Sequence, residues 1–156
     1  MNDADRTILD HFIDIRAKTT AMLNAVPEEM LARTAKGECH PLCWQFSHIA
    51  NGVDWWMNFV MQDGRGWSGE QPSAKDAISA ELDRSGGRLA AFFSADDGEP
   101  MARTFRLSEE KRPEKGVVEW VGRSRVLYLT AHELHHLARA ELALWQWGID
   151  ELPDFP

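Results

Sequence analysis

The strongest constraint on the fold is a period. Ile8, Phe12, Ile15, Thr19, Met22 and Val26 recur at steps of four and three, and Leu9, Ile13 and Leu23 widen the stripe. A backbone with 3.6 residues per turn gathers those positions on one face, whereas a strand would scatter them over two. The stripe predicts a first helix ending near Pro27, then a short helical turn at PEEML before the Gly37 region interrupts it.

The same period returns three times. Pro41 suits a first helical position, where its missing N–H would have no partner, and Leu42 to Met61 read as a long second helix stopped by QDGRG. Its stripe is Trp44, His48, Asn51, Gly52, Trp55 and Phe59, so one histidine stands in the middle of a tryptophan-rich face. Past a glycine-rich loop holding Trp67, Ser73 with Asp76 reads as an N-cap and capping-box pair. Ile78, Leu82, Ser85, Leu89 and Phe92 then carry a third helix, weakened by Gly86 and Gly87 and ended by SADDGEP. RTFRL (103 to 107) and VVEWV (117 to 121) are short, alternating or β-branched segments able to pair as a small hairpin. The last helix runs roughly from Ser124 to Trp147, with Gly148 as its stop and Pro153 beyond.

Four long amphipathic helices with little strand content predict an all-α fold, an antiparallel four-helix bundle with a short β-hairpin between helices three and four. The 156 residues read as a single domain, 1–156, with no internal repeat. A chain of this size buries roughly 70% of the surface its unfolded form exposes, so it needs no disulfide or metal merely to fold. A metal here would serve function.

Charge narrows the partners. The formal net charge is −8, and no cluster of Lys and Arg offers the counterion-displacing surface that nucleic acid requires. No apolar run is long enough to span a bilayer, and MNDADRTILD is acidic where a signal peptide would be basic and then apolar, which points to a cytoplasmic protein. Cys39 and Cys43 lie four apart at the start of a helix and read as small buried hydrophobes, not as a redox or metal pair.

HELHH, residues 132 to 136, matches the H-E-x-x-H signature of zinc proteases. On a helix His132 and His136 lie one turn apart on one face, while His135 is turned about 60° from His132. A zinc-type ion needs at least one more protein ligand. The 20 residues after His136 hold Glu141, Asp150, Glu151 and Asp154 but no histidine, and Glu141 points to a different side of the helix. The protease arrangement also wants a sheet edge beside the motif helix. A di-iron reading through the Glu133/His136 ExxH pair fails as well, because no other helix supplies its second ExxH and inward glutamates. His48 is the best third ligand: a bundle can set the centre of helix two against the centre of the last helix. Glu133 then reads as a surface or outlying residue and not as a general base.

A histidine within HPLCWQFSHIANGVDWW, followed by HELHH in the final long helix, resembles the DinB/YfiT-like metal-binding four-helix bundles. The resemblance spans nearly the whole chain, from the N-terminal helix and the VPEEML…G approach to the histidine, its WW pair and the C-terminal HxxxH. It implies a divalent metal, zinc or nickel before iron or manganese, held by His48, His132 and His136 with water in the remaining positions. It implies a homodimer, and an activity among thiol-dependent transferases and isomerases that use mycothiol, bacillithiol or glutathione. One departure stands out: Leu137, Ala138 and Arg139 replace an Arg-Gly-Gln that often follows the second ligand. The ligands are untouched, and the shared substrate chemistry is what the departure bears on.

Three neutral imidazoles would leave a divalent ion its full charge, acidifying a thiol or water strongly. The expected chemistry is attack of an activated thiolate on an electrophilic small-molecule substrate, with hydrolysis as the nearest variant. A bundle that binds metal or ligand without catalysis is the alternative from another class. Pocket candidates follow from helical spacing: Trp44, Asn51 and Trp55 around His48, and Arg125, Tyr128 and Arg139 around the HxxxH pair. Either arginine could take a substrate carboxylate.

Overall fold

Asn2 starts the first helix. Its side-chain oxygen accepts from the Asp5 backbone N–H at 2.9 Å, and Asp3 and Asp5 set negative charge at the positive end of the helix dipole. In the computed structural model, which describes residues 1–60, 69, 71–107 and 118–149, α1 (Asp3–Ala25) is followed by a 3-10 turn at Glu28–Met30. Helix α2 (Leu42–Trp55) continues as a π-helical turn over Trp56–Val60. Helix α3 (Lys75–Ser94) leads through a 3-10 turn into the short α4 (Glu99–Ala102), and α5 (Gly122–Gln146) closes the chain. The expected hairpin forms: β1 (Thr104–Leu107) pairs antiparallel with β2 (Val118–Val121), Phe105 facing Trp120. Met61, Trp67, Val117 and Pro153, and the side chain of Phe59, lie outside the described residues.

The four long helices make the expected bundle. Helix α1 packs on α3 and α5, and α2 packs on the same two, so α1 and α2 stand on a diagonal. Contacts give the directions. Asp5 meets Arg123 and Arg16 meets Glu133, so α1 and α5 run the same way. Gln45 meets His136 and Gly52 meets His132, so α2 runs opposite to α5. Two helices point each way, and the connection over residues 26–41 carries the chain across the diagonal.

Two apolar clusters fill the interior. One gathers Ile15, Met22, Phe46, Ile49, Leu82, Leu137 and Leu144, the other Leu9, Phe12, Val53, Leu89, Phe93 and Leu129. Between them lies a buried polar layer. Arg16 donates through Nε (3.2 Å) and Nη2 (2.9 Å) to Glu133, and through Nη1 to the Leu82 carbonyl and Ser85 Oγ, both at 2.9 Å. Thr19 donates to the other Glu133 oxygen.

Four expectations change. Glu133 is not at the surface: it is 1% exposed and ties α5 to α1. Helix α3 starts at Lys75 with no side-chain cap from Ser73, because Glu28, from the turn after α1, takes the Lys75 N–H at 3.4 Å. The core face of α2 is Leu42, Phe46, Ile49, Val53 and Met57, while the Trp44/His48/Trp55 face is only half-buried, since a bundle helix has one open side. Ile13, too, faces outward. Gly86 is needed where it stands, because a Cβ there would come within 3.0 Å of Arg16 Cγ. No described helix is long and apolar enough to cross a membrane.

Candidate metal centre

The half-buried face of α2 borders α5, and that is where the histidines meet. His48 projects from α2, and His132 and His136 from successive turns of α5. One ring nitrogen of each lies within 4.8 Å of the others, and the ring centroids are 5.1, 4.7 and 4.6 Å apart. Nitrogens sharing one tetrahedral ion at ~2.1 Å bonds stand about 3.4 Å apart, so ring rotations of roughly 1 Å close the set. Among the described residues this is the group of three or more His, Cys, Asp or Glu side chains with that spacing.

Each ring is placed by a neighbour. Gln45, buried on α2, meets His136 Nδ1 at 2.7 Å, accepting its N–H through Oε1 and leaving Nε2 as the lone pair to offer. Trp44 stacks on His48 at 4.3 Å with the planes 13° apart, and on its outer face His40 stacks at 4.1 Å. His48 Nδ1 is buried with no hydrogen-bond partner. That orphaned donor-acceptor atom beside two further imidazoles is what a missing cation would explain. Gly52 clears the space for His132: a Cβ at Gly52 would sit 3.0 Å from its Cε1. The residues fit a divalent ion.

Electrostatics favour neutral rings. Burial, then His48 and His135, push His132 down to about 4. Burial, then His132, His48, His135 and Arg139, push His136 down to about 3. Burial and then His40 lower His48 as well. All three thus present lone pairs at neutral pH, the state in which imidazole binds a metal.

The expected pocket residues divide. Trp44 is in the centre, as described, and its ring also meets His136 edge-on at 5.7 Å. Tyr128 stacks with His132 (centroids 6.3 Å, 17°) and is 51% exposed, forming a lip. Asn51 is half-buried on α2. Trp55 is half-buried too, and its ring meets Trp56 edge-on at 4.8 Å. Arg139 does not stand open to a substrate: it forks onto Glu38, with Nε to Oε1 at 3.0 Å. Arg125 is neither solvated nor acid-paired; it is buried among aromatic rings. His135 is exposed, its ring edge-on to His136 at 5.2 Å. Cys43 is a buried thiol whose pKa burial pushes up, whereas Cys39 is exposed, contrary to expectation, because it precedes the helix.

Sequence reasoning missed Gln45 and Glu38. Gln45 also donates toward Glu38 at 3.4 Å, so His136, Gln45, Glu38 and Arg139 form one chain of contacts. Position 45 lies one turn before His48, and that spacing is the signal that could have found it.

Comparison with known proteins agrees with this fold. Residues 11–140 match the DinB superfamily. A crystal structure of a DinB-like protein from Bacillus subtilis is similar to this chain with a TM-score of 0.68 at 15% identity, covering 95% of this chain and 96% of that one, which shows the fold. No curated protein matches the chain. The chain belongs to the DinB superfamily.

Proposed function

We propose that the protein is a metal-dependent transferase that uses a low-molecular-weight thiol, with His48, His132 and His136 holding zinc or nickel. One observation carries the reading: three imidazoles from two helices converge with no carboxylate among them, so the donor set adds no negative charge. When bound, such an ion supplies Lewis acidity that lowers the pKa of a thiol or water at the site. The chain's own residues do the rest. Gln45 fixes the tautomer of His136, Trp44 holds the plane of His48, and Tyr128 walls one side against His132. Both Glu133 oxygens are engaged by Arg16 and Thr19, so no base acts from that position.

Elemental analysis of protein prepared without chelators tests the metal, with stoichiometric metal expected in wild type and loss in His48→Ala. The transferase reading is tested by conjugating a chromogenic electrophile with mycothiol, bacillithiol and glutathione. Equal rates for wild type and His132→Ala would reject it and leave a metal-binding bundle.

A second copy of the chain is the proposed cover for the outer face of α5. Leu127, Ala131, Ala138, Leu142 and Trp145 lie together there and are exposed, with half-buried Leu134 at the edge of the stripe. A two-fold axis through that face would set the same apolar patch of each copy against the other. Light scattering should show a dimer that Trp145→Glu converts to a monomer; a monomeric wild type would end the idea.

A further inference from the structure

Arg125 is the most unusual charge in the described structure. It is 2% exposed, its Nε has no hydrogen-bond partner, and among the described residues no carboxylate pairs with it. Its neighbour on the helix, Arg123, does pair with an acid, Asp5, at 3.2 Å. Instead the Arg125 guanidinium carbon lies 3.5 Å from the centre of the Trp56 ring, 4.2 Å from Trp120 and 4.8 Å from Tyr128. Burial pushes its pKa down to about 10, which leaves it a cation at neutral pH.

Aromatic faces satisfy only part of what this group needs. A guanidinium attracts π-faces above and below its plane, but its five N–H donors lie in the plane and ask for oxygen acceptors. A planar oxyanion such as a carboxylate meets two of them at once. The surroundings are built for such a visitor. Trp56 reaches the guanidinium from the π-helical turn Trp56–Val60, an irregularity that costs helix regularity and often marks functional sites. Arg125, Tyr128 and His132 share one face of α5, and Tyr128 stands between the other two, close to both. Seven residues of helix separate Arg125 from His132 by about 10 Å.

We propose that Arg125 is the carboxylate-binding subsite of the metal pocket, and that the ligand is an elongated small molecule with a metal-seeking group at one end and a carboxylate about 10 Å away. The proposal rests on the metal reading and adds the class of ligand. It separates Arg125 from a mere staple between hairpin and helix, since a staple needs rings but no anion.

The test uses metal-loaded protein and calorimetric titration with mercaptoalkanoates of increasing chain length, each matched to the mercaptoalcohol of equal length. Wild type should prefer the carboxylate about tenfold at the length that spans the two sites, the worth of one charge-assisted pair. Arg125→Met, which keeps the stem's packing, should lose that preference while keeping its metal, and Arg125→Lys should retain part of it. No preference at any length in wild type would overturn the proposal, as would a preference that survives Arg125→Met. Should Arg125→Met fail to fold, the wild-type length series decides alone. Metal content measured on the same samples separates the two failures: metal-free wild type sinks the metal reading, whereas metal-bound wild type without preference sinks only the subsite.

Discussion

Glu133→Gln separates the protease reading of HELHH from the one the structure supports. The side chain keeps its size, so no cavity opens, but its charge and one acceptor oxygen are lost. Arg16, whose side chain is 8% exposed, then keeps a buried positive charge with no anion, and an amide N–H₂ turns toward either Arg16 or Thr19. Breaking a buried pair by removing one partner costs about 3–5 kcal/mol. For a chain of this length that lowers Tm by roughly 6–20 °C. The assay is thermal and urea unfolding of chelator-treated wild type and variant, beside metal content of the untreated proteins. Stability should fall and metal content should not. The pair Arg16→Met with Glu133→Leu should recover much of the loss. The remaining hydroxyls keep partners within their own turns: Thr19 can donate to the Ile15 carbonyl at 3.0 Å and Ser85 to the Leu82 carbonyl at 3.3 Å. Unchanged stability in Glu133→Gln, together with abolished metal-dependent activity, would refute the assignment and return the glutamate to the chemistry.

Three further outcomes follow from the centre. Gln45→Leu removes the acceptor that orients His136 and should weaken metal affinity about 10–100-fold, measured by chelator competition, with little loss of helix content. Gly52→Ala adds a Cβ 3.0 Å from His132 Cε1 and should lower metal affinity while leaving or raising the apo-protein's Tm, because alanine favours helix over glycine by about 1 kcal/mol. The metal-free protein should lose stability on acidification. His132 and His136 titrate near 4 and 3 in the folded state, below the ordinary 6.5, so the unfolded chain takes up protons first. Their contribution is complete above pH 6.5 and fades as pH falls toward 4 and 3; urea midpoints across that window should drop, and less steeply in His132→Ala.

The helices were legible because burial is periodic, and the ligand pair because i, i+4 spacing on a helix is geometry. His48 was legible only through the bundle, since 84 residues separate it from His132. What sequence hides is which of two stripes on one helix meets the core. On α2, tryptophans made the His48 face look like the interior, yet the aliphatic stripe from Leu42 to Met57 is the one sealed from water. Buried charge is hidden for the same reason. Arg16, Asp54 and Arg88 carry no local signal of burial, and each finds its partner on another helix: Arg16 on Glu133, Arg88 on Asp54. The start of α3 shows the limit at short range, where a glutamate 47 positions away does the capping that a local serine was expected to do.

The five letters of HELHH are divided by the neighbours of α5. Successive residues turn by about 100°, so His132 and His136 differ by only about 40° and share one side, while Glu133 lies about 100° round. Helix α5 touches α2 on one flank and α1 on the other. The imidazoles turn to α2, where His48 waits and Gln45 holds a ring; the carboxylate turns to α1, where Arg16 and Thr19 close over it. His135 takes the outward direction, and Leu134, half-buried, packs against the core. The zinc-protease reading needs the same glutamate free to reach water at the metal, but both of its oxygens are held on the α1 side. Here the third ligand comes from the opposite flank, so the direction from which His48 arrives, and not the spelling of the motif, decides that Glu133 holds the fold together and the two histidines form the site.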